Sequence, residues 1–322
     1  MPNYFHSMQS KISERDAEIV DARSWTSYWR KRWVVYADLL GFADISDSRD
    51  NTANVILRFH KCVELARQET KPERLFQFTD ACYAICDDLG RAISCAISIQ
   101  HFCLAMNEWR VKRAGALLFH ELLVPRITVA QGDVLSVDSP EGLPGDAADL
   151  VRPEHLLAGH GIVNAYRLEK LAAGPQIAIW TEALPEIRKL KVRGATGAVR
   201  TAVEHWLKEP SPGRKHGKSV TARVVQLPWP LLRVSPGEPL MLWADERPSV
   251  ESKLRSMLVV WRSNFHQFIV QHGDPSVMKH YAGALQLTEY CLRNMDSVQG
   301  KGPMDAAQMH ARLFRGRVPR DV

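Results

Sequence analysis

The chain has 322 residues, 45% hydrophobic and 24% charged, with a formal net charge of +6 and a pI near 9.0. That length and balance give one sizeable core plus an appendage and exclude a low-complexity or repeat protein. No run of about 18 apolar residues is present, and the first residues form no apolar stretch, so neither a membrane span nor a secretory signal is expected and a cytoplasmic protein is.

The positive charge suits a polyanionic partner: a nucleotide, a nucleic acid or an acidic membrane surface. It is concentrated in the runs 188–194, 213–218 and 312–320, and each run taken singly reads as a solvated loop or a frayed end. Cys62, Cys82, Cys86, Cys95, Cys103 and Cys291 sit in apolar segments without CxxC spacing. That pattern fits reduced core thiols better than disulfides or zinc ligands.

In chain order, a polar leader over 1–30 precedes a strand at Trp33 to Leu39 that is apolar on both faces and so central. Val55, Ile56, Phe59, Cys62, Val63 and Ala66 recur at helical spacing between Asn51 and Thr70. Residues 74–88 hold two short aromatic and β-branched runs that meet at Thr79-Asp80, which predicts a hairpin with an acid at its tip. A second amphipathic helix is expected from Leu89 to Val111, followed by a strand pair over 121–139 that turns near Gly132.

The predicted order is βαββαβ, an α+β, ferredoxin-like arrangement. After a Pro/Gly/Asp-rich insertion come a helix at 154–172, a strand at 176–180, a basic irregular region and a last strand near 220–226. Prolines 228, 230, 236 and 239 mark a boundary. The main domain is therefore placed at 31–235, and 236–322 is read as a helical C-terminal region for packing or dimerisation.

Alternation along the strands puts Tyr36 and Asp38 on one face of the first strand, and Phe76, Phe78 and Asp80 on one face of the hairpin. Taken singly, each acid has an ordinary role at a strand end or in a turn. Brought together with no Lys or Arg expected beside them, the two carboxylates repel unless a divalent cation lies between them. Gly41, in the turn after Asp38, lets backbone N–H groups approach a phosphate closely.

The stretches YADLLGFAD (36–44), FQFTDACYAI (76–85), PRITVAQGDV (125–134) and GHGIVNAYRLEKLA (159–172) resemble, in order, the motifs of the class III nucleotidyl cyclases. Two departures stand out. The transition-state Asn of the purine cyclases lies four residues before the Arg, a position held here by Val163, while Asn164 lies three before Arg167. The adenine-reading Lys is replaced by Phe76. With the short helix motif and the helical tail, these features are most similar to the stand-alone bacterial pyrimidine cyclases of Pycsar antiphage defence.

The resemblance implies a class III cyclase core and two divalent ions, Mn2+ or Mg2+, on Asp38, Asp80 and the Leu39 carbonyl. It implies catalytic roles for Arg167 and Asn164, and contacts to a nucleoside triphosphate from Tyr36, Leu40, Gly41, Phe42, Phe76 and Arg74. It further implies a homodimer with composite sites and a product, cyclic UMP or cyclic CMP, read by a separate cyclic-nucleotide-binding effector, with no nucleic acid or membrane partner. A catalytically silent nucleotide-sensing homologue is the alternative from a different class. A palm-like nucleic-acid enzyme needs a basic, aromatic-interleaved surface that the sequence does not offer.

Overall fold

The structure, a computed structural model, describes residues 22–40, 49–114, 122–135, 156–170, 172, 174–180, 184–187, 192–193, 211–215, 218–227, 229–233 and 240–242, together with scattered helical positions between 255 and 292. A 3-10 turn, Ala22–Tyr28, leads into β1 (Trp29–Leu39). There follow α1 (Arg49–Thr70), β2 (Arg74–Gln77), β3 (Ala81–Cys86), α2 (Leu89–Ala114), β4 (Pro125–Leu135), α3 (His160–Glu169) and β5 (Ile177–Trp180). Beyond them lie α4 (Leu184–Ile187), β6 (Val192–Arg193), β7 (Ser211–Lys215), β8 (Lys218–Leu227), a 3-10 turn at Trp229–Leu231, β9 (Leu232–Arg233) and β10 (Leu240–Leu242).

The main sheet runs β2-β3-β1-β4-β5-β8-β7. Each of its first four strands is antiparallel to its neighbour, in the βαββαβ order, so the fold class is α+β with a ferredoxin-like core. β5 joins β4 in parallel and β8 returns antiparallel to β5. A small second sheet has the order β6-β10-β9.

β1 is central because Trp33 to Ala37 are all buried, one alternate set against each layer. Trp33, Val35, Ala37 and Leu39 join Phe59 and Val63 of α1 and Ile93, Ile97 and Leu104 of α2 in the principal core. Val34 and Tyr36 face the other way and pack with Ala165 and Leu168 of α3 and with Phe76, Ala81 and Ile85 of the hairpin. Over Leu89–Asn107, α2 is long and apolar enough to cross a membrane by length and composition, but it is mostly buried inside this fold. Buried Asn107 pairs with both the N–H and the C=O of Leu123, at 2.8 Å each, and Gln100 donates to the carbonyls of Pro125 and Pro175. These bonds fix the approach to β4.

Several boundaries differ from the sequence expectation. β1 begins at Trp29, because its exposed first residues continue the ladder against Gly132 to Leu135. The strand pair expected to turn at Gly132 is instead the single strand β4. Gly132 is required there by close packing, since a Cβ would lie 2.5 Å from the backbone nitrogen of Gly161. The helix expected from 154 begins only at His160. It starts from Gly159, whose φ of 132° lies in the region that favours glycine and whose backbone approaches Asp133 closely. The region read as irregular before the last strand supplies β7, which pairs with β8.

The described C-terminal positions Leu258, Trp261, Ala284, Leu287, Cys291 and Leu292 are buried in the same principal core as α1 and α2. Trp229, fully buried, links them to the sheet. Its indole N–H donates to the Pro175 carbonyl at 2.7 Å, and its ring meets Trp261 edge-on at 5.7 Å. All six cysteines are buried free thiols.

Candidate active site

The β1–β3 and β1–β4 ladders converge on Asp38, which stands opposite Ala81 on one side and Arg126 on the other. The strands of the hairpin are joined by Phe78-Thr79-Asp80, closed by Phe78 N–H to Ala81 C=O at 2.8 Å. The Leu39 N–H donates to the Asp80 carbonyl at 3.0 Å, which ties the tip of the hairpin to the end of β1. Thr79 Oγ1 donates to Asp80 Oδ1 at 2.8 Å and orients that carboxylate. The two acids singled out in the sequence thus lie at one corner of the sheet, close enough for the Asp80 charge to act on Asp38.

Two partners in this corner were not foreseen. Arg126 Nη2 donates to Asp38 Oδ2 at 2.5 Å, and the same nitrogen pairs with Glu169 Oε1 at the end of α3. The expectation that no Arg or Lys stands beside the acids is therefore corrected. The side chains of Asp38, Arg126 and Glu169 are only 14%, 16% and 13% exposed, so this is a largely desolvated charge cluster. Arg126 Nε is buried with no hydrogen-bond partner among the described residues.

Burial raises the pKa of Asp38 above the ordinary carboxylate value, the Arg126 hydrogen bond and charge oppose it, the Asp80 charge adds to it, and the Tyr36 hydroxyl lowers it slightly by donating a hydrogen bond. Burial likewise raises Glu169, opposed by Arg126 and reinforced by Asp38 and Asp80. One guanidinium does not compensate these carboxylates. A corner of oxygen donors with surplus negative charge fits a hard divalent cation. Among the described residues no three His, Cys, Asp or Glu side chains form a ready metal cage. Magnesium-type sites of one or two carboxylates are ordinarily completed by substrate phosphates and water, and the orphaned Arg126 Nε offers a further donor to such an anion.

The remaining expected residues divide by position. Tyr36 is buried on the Asp38 face, with its ring 4.7 Å from Tyr83 and 5.8 Å from Tyr166. It supports Asp38 from below. Leu40 donates its N–H to Val124 C=O at 3.1 Å and buries its side chain in the principal core, so it has no backbone donor left for a phosphate. Gly41 and Phe42 lie outside the described residues. Phe76 is buried in the second core cluster, and the Arg74 guanidinium lies over its ring at 4.9 Å.

On α3, Asn164 donates weakly to the Gln131 carbonyl of its own β4, at 3.3 Å, while Arg167 is exposed. Arg167 and Glu169 are two residues apart and hence about 200° apart around the helix. With Glu169 on its own chain's Arg126, Arg167 points away from its own carboxylates. It shares the exposed face with Val163, one turn earlier and 42% exposed.

No protein-family model matches the chain, and no curated protein matches it by sequence. Among solved structures it is similar to the guanylyl cyclase Cya2, at 15% identity and a TM-score of 0.43 over 62% of this chain and 92% of that one. It is also similar to the adenylyl cyclase CyaB from P. aeruginosa, at 13% identity and a TM-score of 0.39 over 62% of this chain and 95% of the other. A third is the adenylate/guanylate cyclase/hydrolase from Silicibacter pomeroyi, at 18% identity and a TM-score of 0.39 over 62% and 96% of the two chains.

Proposed function

We propose that this protein is a pyrimidine nucleotide cyclase, converting UTP into 3′,5′-cyclic UMP and pyrophosphate as a second-messenger synthase in antiphage defence. The observation that carries the reading is the corner itself. Asp38 and the hairpin-tip Asp80 are fastened together through Leu39, with Arg126 beside them. In the reaction the ribose 3′-oxygen loses its proton and bonds to the α-phosphorus, and the bond to the bridging oxygen breaks to release pyrophosphate. Two divalent ions, Mn2+ or Mg2+, held by Asp38, Asp80 and the Leu39 carbonyl, would lower the pKa of the 3′-hydroxyl and neutralise the leaving phosphates.

Arg126, beside Asp38 and with a buried Nε that has no partner among the described residues, would donate to the triphosphate. Tyr36 holds the Asp38 carboxylate in position. Arg167 faces away from its own acids, and this supports a homodimer in which it serves the partner's corner, stabilising charge on the transferring phosphoryl group. Val163, one turn before it, gives that face apolar area for contact. Asn164, turned toward its own β4, joins catalysis only by leaving the Gln131 carbonyl. The product is read by a separate cyclic-nucleotide-binding effector.

Incubating the protein with each of the four triphosphates and manganese, then identifying products by mass, tests the reading, with cyclic UMP as the main product expected. Dominant cyclic CMP would move the assignment to the cytidylate alternative, dominant cyclic AMP or GMP would overturn the pyrimidine reading, and no product would favour a silent nucleotide-sensing homologue. Mixing Asp38→Ala with Arg167→Ala chains should restore part of the activity, because one site of the heterodimer keeps both residues. No restoration despite verified subunit exchange would place the site within one chain.

A further inference from the structure

Arg126 is shared. Its Nη2 contacts Asp38 on β1 and Glu169 on α3 at once, and all three side chains are largely buried. A cation bound at Asp38 would repel the guanidinium and compete with it for that carboxylate. A displaced arginine in a desolvated corner needs another anion, and Glu169 already holds it. We propose that Glu169 is a positioning residue that retains Arg126 when Asp38 turns from the arginine to the divalent cation, so that α3 sets how readily the corner loads.

This rests on the proposed cation site at Asp38 and Asp80 and adds a role for a residue outside it. Glu169 does not act as a ligand here. It gives Arg126 a second resting place, and it keeps the guanidinium beside the corner. Without the Glu169 charge, the whole of the Arg126 attraction falls on Asp38 and loading becomes a direct competition.

The test measures Mn2+ binding to nucleotide-free protein by the loss of the free-ion EPR signal. Glu169→Gln keeps an acceptor for Arg126 but removes the charge, and it should weaken binding roughly tenfold, the lower end for residues that support a metal site from behind its ligands. Glu169→Asp keeps the charge on a shorter arm and should lose less. In an Arg126→Gln background the effect of Glu169→Gln should vanish, because nothing remains for Glu169 to hold. An equal loss in that background would mean that Glu169 acts by its field or as a ligand and would overturn the proposal, as would unchanged binding in a folded Glu169→Gln. Asp38→Ala is the separate control. If it binds Mn2+ as the parent does, the cation site itself is misplaced, whereas loss in Asp38→Ala with no effect of Glu169→Gln defeats only the positioning role.

Discussion

The two faces of the central sheet make opposite use of the same strands. Below it, odd-numbered β1 residues, α1, α2 and the C-terminal positions form a continuous apolar core in which the side-chain amides of Asn107 and Gln100 bond to backbone, and the polar atom left over, Gln100 Oε1, is uncharged. Above it, even-numbered residues support a smaller apolar cluster that ends at Asp38, Arg126 and Glu169, where carboxylates outnumber the guanidinium and Arg126 Nε has no partner among the described residues. A single residue of shift in β1 would exchange the two sets. One face accounts for stability, and the other keeps a charge imbalance that a ligand can relieve.

If that division is right, the faces should fail differently. The largest effect is expected for Asp38→Ala or Asp80→Ala, which should lower cyclisation about a thousandfold or more, measured as product formed from triphosphate with manganese. Removing a carboxylate from an over-acidic corner should leave thermal stability nearly unchanged, and a variant with near-parent turnover would remove that acid from the site. Trp229→Ala should do the reverse. Truncating this fully buried ring and its indole hydrogen bond should cost about 3 to 5 kcal/mol, seen as a lowered melting temperature, with turnover per folded molecule preserved well below the transition.

A milder probe of the lower face is pH. His101, buried against Trp229 with its Nε2 3.3 Å from the Trp229 carbonyl, has its pKa pushed down to about 4, first by burial and against the pull of that carbonyl. The folded state therefore binds fewer protons than the unfolded state between about pH 4 and 6.5, so stability falls as pH drops through that window. At pH 5 the loss should be about 2 kcal/mol relative to pH 7.5, read from chemical denaturation. His101→Gln should flatten that part of the profile, and an unchanged slope would assign the pH dependence to other groups.

The sequence made the lower face and half of the upper one legible. Periodicity located α1, α2 and the β2–β3 hairpin, and alternation put Tyr36 with Asp38, because burial imposes those patterns locally. Arg126 and Glu169 escaped because their roles depend on register. Arg126 matters only once β4 is one unbroken strand and Asp38 falls opposite it. Reading Gly132 as a turn hid that ladder, when its missing Cβ instead admits α3. Glu169 lies only two residues from Arg167, but which of the two faces inward is decided by how α3 seats on Gly132 and Thr128, whose hydroxyl donates to the Ala165 carbonyl at 2.7 Å.

The smallest expected effect concerns the far end of the upper face and the choice of base. Arg74 lies over the Phe76 ring, an arrangement worth about 0.5 to 1 kcal/mol at a partly exposed site, so Arg74→Ala should change stability by no more than that. Its influence on specificity should be larger than its influence on folding. An arginine offers donors alone, uracil presents an acceptor at O4, and cytosine presents an amino donor at the corresponding position. If the stacked guanidinium reaches that edge, UTP gains a hydrogen bond where CTP meets a second donor, a difference of about 1 to 3 kcal/mol. Arg74→Ala should then reduce the ratio of kcat/KM for UTP over CTP by roughly tenfold, chiefly by lowering the UTP value. A ratio that stays put while stability shifts slightly would restrict Arg74 to covering Phe76, and base selection would have to lie elsewhere on the upper face or with the partner subunit.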